Sequence, residues 1–284
     1  MGAQLKLQMA SELDHGRAPL VSMERVPLDP GGCAAIVTLH RPEQLNPLDW
    51  DTVIRLEQVL TESDQDPTVR AVLITGEGRA FSSGGDLKKY QSLQRDPAAF
   101  PRFLDDFHRT LSGIARMKKP VVALVNGIAV AGGLELALSC DFAFIAESAR
   151  ISDGHLTFGQ MGGGGVLTLL PRVIGPSKAR ELIWSGRWLT AQDALAWGLV
   201  NRVVADDQLL QAGLEVATAF AERSPLAIAE SKYVMNTAWS EGTGIEGGLK
   251  LERERTALYC LTSHDAGEGL AAFVEKRQAR FLGR

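Results

Sequence analysis

Short apolar runs alternate with amphipathic segments along the first half of the chain. Runs rich in valine, isoleucine and leucine are typical of buried β-strands, and four occur before residue 150. They are Ala34–Leu39, Val69–Ile74, Val121–Val125 and Phe142–Ala146. Between them, apolar residues recur at every third or fourth position, the spacing of one helix face. The two clearest helical segments run from Pro47 to about Glu62 and over Phe100–Met117. Strands that alternate with helices predict an α/β core with a largely parallel sheet.

The second half of the chain has a different pattern. After Pro176 the strand pattern almost disappears, apart from Leu199–Val204. The predicted helices there are Ser177–Ser185, Ala191–Trp197, Asp207–Arg223, Leu226–Thr237, Ile245–Leu261 and Asp265–Phe281. No proline- or serine-rich linker separates the two halves. We therefore expect a mobile N-terminal tail over residues 1–20, an α/β core over 21–200 and a helical C-terminal extension over 201–284.

Composition and charge exclude several classes of protein. The 284 residues are 45% hydrophobic and 23% charged, as in soluble globular proteins, and the net charge is −4. A chain without a basic field does not favour a nucleic-acid partner. The uncharged stretch Pro120–Leu134 is shorter than the roughly 20 residues of a membrane span. The three cysteines, Cys33, Cys140 and Cys260, lie far apart, which indicates reduced thiols in a cytoplasmic protein.

Two glycine-rich loops follow predicted strands and precede predicted helices. The first, Gly76–Leu87, contains the pair Gly84–Gly85, and the second, Asn126–Glu135, contains the pair Gly132–Gly133. Glycine lets a backbone approach a ligand closely, and the first N–H groups of a helix lack intrahelical partners. Two such N–H groups that converge would form an oxyanion hole. Taken singly, each loop is better explained by glycines that serve turns and packing, because a lone glycine-rich loop is a weak motif.

Other familiar site motifs are absent. No GxGxxG follows the first strand, so the sequence does not support a Rossmann-type dinucleotide-binding site. GxxxxGK[ST], GxSxG and HExxH are also missing, so a P-loop, a hydrolase elbow and a zinc-peptidase helix have no support.

The two loops together resemble those of the enoyl-CoA hydratase/isomerase (crotonase) superfamily. Arg79–Lys88 (RAFSSGGDLK) is similar to the family pattern AFxxGxDL, and Asn126–Asp141 (NGIAVAGGLELALSCD) is similar to NGxAxGGGxELAxxCD. His40–Leu48 (HRPEQLNPL) resembles the family's opening RPxxxNAL motif, and Trp188–Val204 resembles a later helix–turn–strand segment. The resemblance covers roughly residues 20–284.

The resemblance implies a fold, an assembly and a substrate class. The expected fold is a crotonase-like spiral of ββα repeats with an α-helical C-terminal part used for trimerisation. The expected assembly is a homotrimer or a dimer of trimers. The partner would be an acyl-CoA thioester, with no metal and no cofactor, because coenzyme A belongs to the substrate.

The resemblance also implies roles for the glycine loops. The backbone N–H groups of Gly85 and Gly132 would polarise the thioester carbonyl. Gly85, Asp86, Leu87 and Lys88 would line the site for the CoA and acyl groups. A side chain added at Gly132 is expected to cost more than one added at Gly127, because only the former would crowd the thioester.

Family hydratases place two glutamates beside the reacting carbons. The first is present as Glu135, three residues after Gly132 and so about one helical turn away. His155 stands where the pattern has the second. Histidine titrates near neutral pH and can transfer protons, with its ring oriented by Asp153 or Ser152. If both act, their side chains should face one cavity within a water-bridged distance, and the carboxylate should raise the histidine pKa.

The alternative to catalytic roles is structural: Glu135 would be an ordinary helix residue, and His155 would be hydrogen-bonded within a loop.

A double-bond isomerase is disfavoured, because no carboxylate occurs between Asp153 and Glu181, where family isomerases carry their acid. That segment contains Gly162–Gly165 instead. The four glycines would either make room for a bulky acyl group or form a flexible wall.

Together with these residues, the resemblance to the crotonase superfamily implies three candidate functions, of which the first is favoured. The first is a lyase that adds water to a 2-enoyl-CoA, with Glu135 deprotonating water and His155 delivering the α-proton. The second is a crotonase-type hydrolase that cleaves a thioester or a β-dicarbonyl C–C bond. The third is a catalytically silent acyl-CoA-binding protein.

Overall fold

The computed structural model describes residues 19–240, 242 and 244–284. Residues 1–18 of the predicted N-terminal tail lie outside the described residues. From Val21 onward the chain forms two β-sheets covered by helices.

The larger sheet has six strands in the order β1-β2-β3-β5-β7-β10. These strands are β1 Val21–Pro27, β2 Cys33–Leu39, β3 Val69–Gly76, β5 Val121–Val125, β7 Phe142–Ala146 and β10 Arg202–Val204. All neighbours are parallel except β1 and β2. The four buried strands predicted from the sequence are all present. The sequence did not predict β1, because this edge strand mixes exposed polar residues with apolar ones.

The smaller sheet has four short strands in the order β4-β6-β8-β9. They are β4 Ala80–Ser82, β6 Ile128–Val130, β8 Arg150–Ser152 and β9 Leu189–Thr190. Strands of two or three residues carry no detectable alternation, so the sequence analysis did not find them. Each of β4, β6 and β8 follows a strand of the larger sheet and precedes a helix, which is the expected ββα repeat.

Eleven α-helices occur in the described residues, together with short 3₁₀ helices at Pro42–Gln44, His155–Phe158 and Asp206–Gln208. The helices are α1 Trp50–Gln65, α2 Leu87–Leu93, α3 Ala99–Ile114, α4 Gly132–Ser139, α5 Val166–Ile174, α6 Pro176–Ser185, α7 Ala191–Trp197, α8 Leu209–Ala221, α9 Pro225–Ser240, α10 Gly244–Thr262 and α11 His264–Glu275. The prediction that the last helix reaches Phe281 is wrong. It ends because Lys276 adopts a left-handed conformation, with φ of 55°.

The hydrophobic core continues beyond residue 200. Strand β10 pairs with β7, and Leu209, Ala212 and Ala217 of α8 belong to the same buried cluster as the sheet residues. By contrast, α10 buries none of its side chains within the chain. The division into domains at residue 200 stays a prediction. No helix in the described part of the chain is long and apolar enough to cross a bilayer.

The smaller sheet places two helix beginnings side by side. Strands β4 and β6 are parallel neighbours, and Ser82 pairs with Ala129. Helices α2 and α4 begin shortly after these strands end. A Cβ on Gly133 would lie 2.3 Å from the Ser82 carbonyl oxygen, so only glycine allows the start of α4 to pack this closely.

Candidate active site

Gly85 and Gly132 line one cavity of about 110 Å³. The loops that carry them touch, because a Cβ on Gly132 would lie only 3.3 Å from the Gly84 Cα atom. Neither the Gly85 nor the Gly132 N–H group donates a hydrogen bond to an acceptor in residues 19–240, 242 and 244–284. Both therefore remain available to a ligand. Their role as an oxyanion hole stays a prediction.

The expectation that a side chain at Gly132 crowds the thioester more than one at Gly127 stays a prediction, but the cost to the fold has the opposite order. A Cβ on Gly127 would lie 2.1 Å from the Arg79 carbonyl oxygen, an overlap that the backbone must move to relieve. At Gly132 the nearest atoms are the Gly84 Cα at 3.3 Å and the Phe107 Cζ at 3.4 Å. Gly127 is therefore the glycine that the fold itself requires, since β6 begins against the loop before β4.

Glu135 lies in the first turn of α4 and is only 1% exposed. Its Oε1 atom accepts hydrogen bonds from the N–H groups of Gly164, at 2.8 Å, and Val166, at 3.2 Å. Burial raises the pKa of the Glu135 carboxyl, although His155 and the two N–H groups oppose that shift. Oε1 is thus held by the backbone, while Oε2 has none of these bonds.

Two of the four glycines at 162–165, Gly162 and Gly164, lie against this carboxylate. A Cβ on Gly164 would be 2.5 Å from Phe107 Cε1 and 2.8 Å from Glu135 Oε2. A Cβ on Gly162 would be 2.2 Å from Val166 Cγ1 and 2.9 Å from Glu135 Oε1. Close packing of the backbone onto Glu135 explains these two glycines better than room for a bulky acyl group.

His155 faces Glu135 from the opposite loop. Its Nε2 atom lies 3.9 Å from Glu135 Oε2, and both residues line the cavity. Its Nδ1 atom lies 2.9 Å from Asp153 Oδ1, whereas the Ser152 hydroxyl donates to the Gly186 carbonyl. Of the two residues considered for orienting the ring, only Asp153 is hydrogen-bonded to it in the described part of the chain. The predicted placement of His155 beside Glu135 is confirmed, and its catalytic role stays a prediction.

The charges around His155 set the direction of its pKa. Burial lowers the pKa of the imidazole, but the hydrogen bond to Asp153 and the negative charges of Glu135 and Asp153 outweigh burial. The net shift is upward, as expected from the sequence. The hydrogen bond that Asp153 accepts from the ring contributes more to this upward shift than the charge of Glu135 does.

The rest of the cavity wall is mainly apolar. It is lined by Leu48, Tyr90, Phe103, Leu104, Phe107, Phe158 and Met161. Tyr90 meets Phe103 edge-on with ring centroids 6.1 Å apart, and Phe103 stacks on Phe107 at 5.9 Å. Burial, with a smaller contribution from Glu135, raises the pKa of the Tyr90 phenol. Sequence reasoning did not assign these residues to a cavity wall, because the spacing of Phe103, Leu104 and Phe107 in α3 is that of any buried helix face.

A larger open groove of about 860 Å³ adjoins the cavity. Gly85 and Leu87 line both spaces, while Asp86 and Lys88 line the groove alone. The structure therefore brings the predicted segment Gly85–Lys88 to the mouth of the cavity. The Asp86 carboxylate also caps α2, since it accepts hydrogen bonds from the N–H groups of Lys88 and Lys89 at 3.2 Å.

An ion-pair network fastens α2 to the beginning of α1. Arg41 donates to Asp49, at 2.5 Å, and to Asp86, at 3.3 Å, while Lys89 Nζ lies 2.6 Å from Asp49. Burial acts to raise the pKa of Asp49, but hydrogen bonds from Lys89, Thr52 and Arg41 lower it to about 2. Gly85 thus precedes a helix that is held at its first turn.

Comparison with known proteins places the chain in a family. The sequence model described as enoyl-CoA hydratase/isomerase matches residues 31–284. The chain belongs to the enoyl-CoA hydratase/isomerase family. A Mycobacterium bovis protein named "Probable enoyl-CoA hydratase" is 36% identical over 88% of this chain and 94% of its own length. Crotonyl-CoA hydratase of Syntrophomonas wolfei is 32% identical over 93% of this chain and 100% of its own.

Solved structures of the family agree with this assignment. The crystal structure of enoyl-CoA hydratase from Bacillus anthracis superposes with a TM-score of 0.86, at 31% identity, over 94% of this chain and 100% of that chain. The crotonase-like fold and membership of this enzyme family, both expected from the sequence motifs, are confirmed. Within the described residues, no group of three or more His, Cys, Asp or Glu side chains is arranged to hold a metal ion.

Proposed function

We propose that this family member adds water to the double bond of a 2-enoyl-CoA thioester. One observation carries the proposal. A buried carboxylate, Glu135, and an imidazole, His155, lie 3.9 Å apart in the cavity that Gly85 and Gly132 also line. The relatives named as enoyl-CoA and crotonyl-CoA hydratases support the same reaction.

Carbonyl polarisation is assigned to the two glycines. The thioester oxygen accepts hydrogen bonds from the Gly85 and Gly132 N–H groups, which have no competing acceptor in the described chain. Addition of hydroxide to Cβ moves negative charge onto this oxygen. Each donor aimed at such developing charge contributes about 3–4 kcal/mol to the transition state.

Proton transfer is assigned to Glu135 and His155. The Oε2 atom of Glu135 takes a proton from water, and the oxygen of that water forms a bond to Cβ of the substrate. Protonated His155 gives its Nε2 proton to Cα, which discharges the enolate. Glu135 then returns its proton to His155 through a bridging water, because 3.9 Å exceeds a direct hydrogen bond. The sum is one water added across one double bond.

The open groove is assigned to coenzyme A. It adjoins the cavity at Gly85 and Leu87, so a thioester at the two N–H groups directs its acyl part inward and its pantetheine arm outward. Lys88 supplies a positive charge along this groove. We propose no further cofactor, since each step above uses only residues of this chain and water.

The test separates hydration from the other two functions. Purified protein is incubated with crotonyl-CoA and with longer and aromatic 2-enoyl-CoAs, while enone absorbance and free thiol are followed separately. Loss of absorbance without thiol release supports hydration. Thiol release would instead establish a thioester hydrolase, and binding without turnover of any 2-enoyl-CoA would reject hydration.

We also propose that the chain forms a homotrimer or a dimer of trimers through its last helices. Large apolar side chains there face outward, among them Leu261, Phe273 and Ile245, each more than 80% exposed. Apolar exposure of this extent on neighbouring helices is typical of an interface. Light scattering after size-exclusion chromatography tests the assembly, and a monomer would contradict it.

A further inference from the structure

We propose that Asp153 is a positioning residue that fixes the imidazole of His155 in one tautomer and one orientation, with Nε2 facing Glu135. This inference rests on the proposed hydration, because it assigns His155 a proton to deliver. Nothing in the glycine motifs requires an acid at position 153. The inference depends on the contacts of the Asp153 side chain and on the fold of its loop.

Both oxygens of the Asp153 carboxylate contact the same residue, His155. Its Oδ1 atom lies 2.9 Å from His155 Nδ1, and its Oδ2 atom accepts from the His155 backbone N–H at 3.3 Å. The described part of the chain offers this carboxylate no hydrogen bond from any other residue. Yet Asp153 is only 1% exposed. Burying a carboxylate is costly unless it is well paired, and here the partner is His155 alone.

The loop between the two residues produces this contact. Gly154 has a φ of +68°, which turns the chain sharply between Asp153 and His155. A Cβ on Gly154 would also lie 2.6 Å from Val130 Cγ2. Residues with a side chain rarely adopt this backbone conformation, and Val130 leaves no space for a Cβ atom here. Glycine is therefore the residue that allows this turn. The sequence Asp-Gly-His therefore folds as one unit, with carboxylate and ring side by side.

This contact determines which nitrogen carries the proton. An ionised carboxylate only accepts hydrogen bonds, so His155 Nδ1 must be the donor. In the neutral ring Nε2 then holds a lone pair toward the cavity, and in the imidazolium it holds the proton that Cα receives. Without Asp153 either nitrogen of the neutral ring can carry the proton. The ring would also lose the contact that aims Nε2 at Glu135.

Three titratable groups face His155 from the elements around it. Asp153 follows β8, Glu135 lies on α4, and Tyr90 lies on α2 across the cavity. The two carboxylates favour the imidazolium, and the phenol is neutral near pH 7. Replacing Asp153 with Asn removes one of the two charges and should therefore lower the pKa of His155. The same change removes a repulsion that raises the pKa of Glu135, so both groups move in the same direction.

The direct test measures the ring itself, in the full-length protein. Nitrogen-15 NMR of labelled histidines, with His155→Ala to assign the signal, reports its tautomer and pKa. Wild type should show Nδ1–H in the neutral ring, and Asp153→Asn should show mixed tautomers and a lower pKa. The matched control is Asp265→Asn, which alters another buried carboxylate, bonded to the Ser224 hydroxyl and the Leu282 and Gly283 N–H groups. An unchanged tautomer and titration in Asp153→Asn would overturn the proposal.

The kinetic arm tests whether this positioning matters for the reaction. Asp153→Asn should lower kcat on the best enoyl-CoA by about 10- to 100-fold with little change in KM, and should move the alkaline limb to lower pH. Asp265→Asn should leave the pH profile in place. A normal kcat and profile in folded Asp153→Asn, checked by circular dichroism, would reject the positioning role. If wild type hydrates no enoyl-CoA, the proposed function fails, while the NMR arm still decides whether Asp153 fixes the ring.

Discussion

The Nε2 atom of His155 lies 3.9 Å from the Oε2 atom of Glu135, and the surroundings raise the pKa of both groups. If hydration needs Glu135 ionised and His155 protonated, activity falls in acid as Glu135 gains a proton and in base as His155 loses one. The acid limb should lie above 4.5 and the alkaline limb above 6.5, the ordinary values for the two side chains. Initial rates of crotonyl-CoA hydration against pH measure both limbs, which belong to the coupled pair. A rate that stays flat through this range would contradict the assignment.

Glu135→Gln should abolish most turnover while acyl-CoA binding persists. The amide keeps the volume and can still accept from Gly164 N–H, but it cannot take a proton from water. A loss of about 10²–10⁴-fold is expected for a general base. Stopped-flow rates and calorimetric binding of a saturated acyl-CoA measure the two effects. Glu57→Gln is the control, since Glu57 pairs with Arg109 on the surface. Retention of ordinary turnover in Glu135→Gln would remove Glu135 from the mechanism.

His155→Ala should slow the chemical step by about 10²–10⁴-fold if the imidazole delivers the α-proton. The slower step should appear as a smaller solvent-hydrogen incorporation rate at Cα, which mass spectrometry follows in deuterated water. His108→Ala is a suitable control, because His108 is an exposed residue of α3. Normal turnover in His155→Ala would show that the side chain is structural and that Glu135 carries both transfers.

Gly127→Ala and Gly132→Ala should separate folding from chemistry. The first places a Cβ 2.1 Å from the Arg79 carbonyl oxygen, so the protein should be strongly destabilised or fail to fold. The second meets its nearest atom at 3.3 Å, so the fold should persist while turnover falls as the N–H donor shifts. Thermal unfolding and hydration rates distinguish the two. Equal stability losses would show that the backbone at Gly127 relaxes freely.

Asp49→Asn should destabilise the fold by about 1–3 kcal/mol at neutral pH, because Arg41 and Lys89 lose a shared carboxylate. The pKa of Asp49 falls from an ordinary 3.8 to about 2 on folding. Its contribution is therefore complete above 3.8 and disappears as the pH falls toward 2. Urea unfolding across this range should show the difference from wild type closing. The exposed neighbour Asp51 provides the control, since Asp51→Asn should change stability by less than about 0.5 kcal/mol.

Local patterns predicted the parts of the fold that carry strong local signals. Val121–Val125 and Ala191–Trp197 were predicted with their observed bounds, because a fully buried strand and a capped amphipathic helix are visible in single segments. The smaller sheet could not be predicted from sequence patterns, since its strands are only two or three residues long. Only the resemblance to the crotonase family implied the ββα repeat that contains it.

The residues of the candidate site could be predicted from motifs, but the contacts between them could not. Gly85, Gly132, Glu135 and His155 were placed by motif, and the structure brings all four to one cavity. The hydrogen bond from Gly164 to Glu135 joins residues 29 positions apart, so no local pattern predicts it. Phe103 and Phe107 looked like core residues, because a cavity wall and a packed core select the same apolar side chains.

Helix α2 has only seven residues, yet it adjoins both the cavity proposed for the acyl group and the N–H group proposed to polarise the thioester. Leu87 and Tyr90 on this helix line the cavity that we assign to the acyl group, while Gly85 lies just before its Asp86 cap. Any substrate or mutation that pushes the helix outward should also move the Gly85 N–H group, which we propose donates to the thioester carbonyl. We therefore expect acyl selectivity and catalytic rate to be linked in this enzyme. Widening the pocket for larger substrates through α2 should lower kcat before it improves their binding.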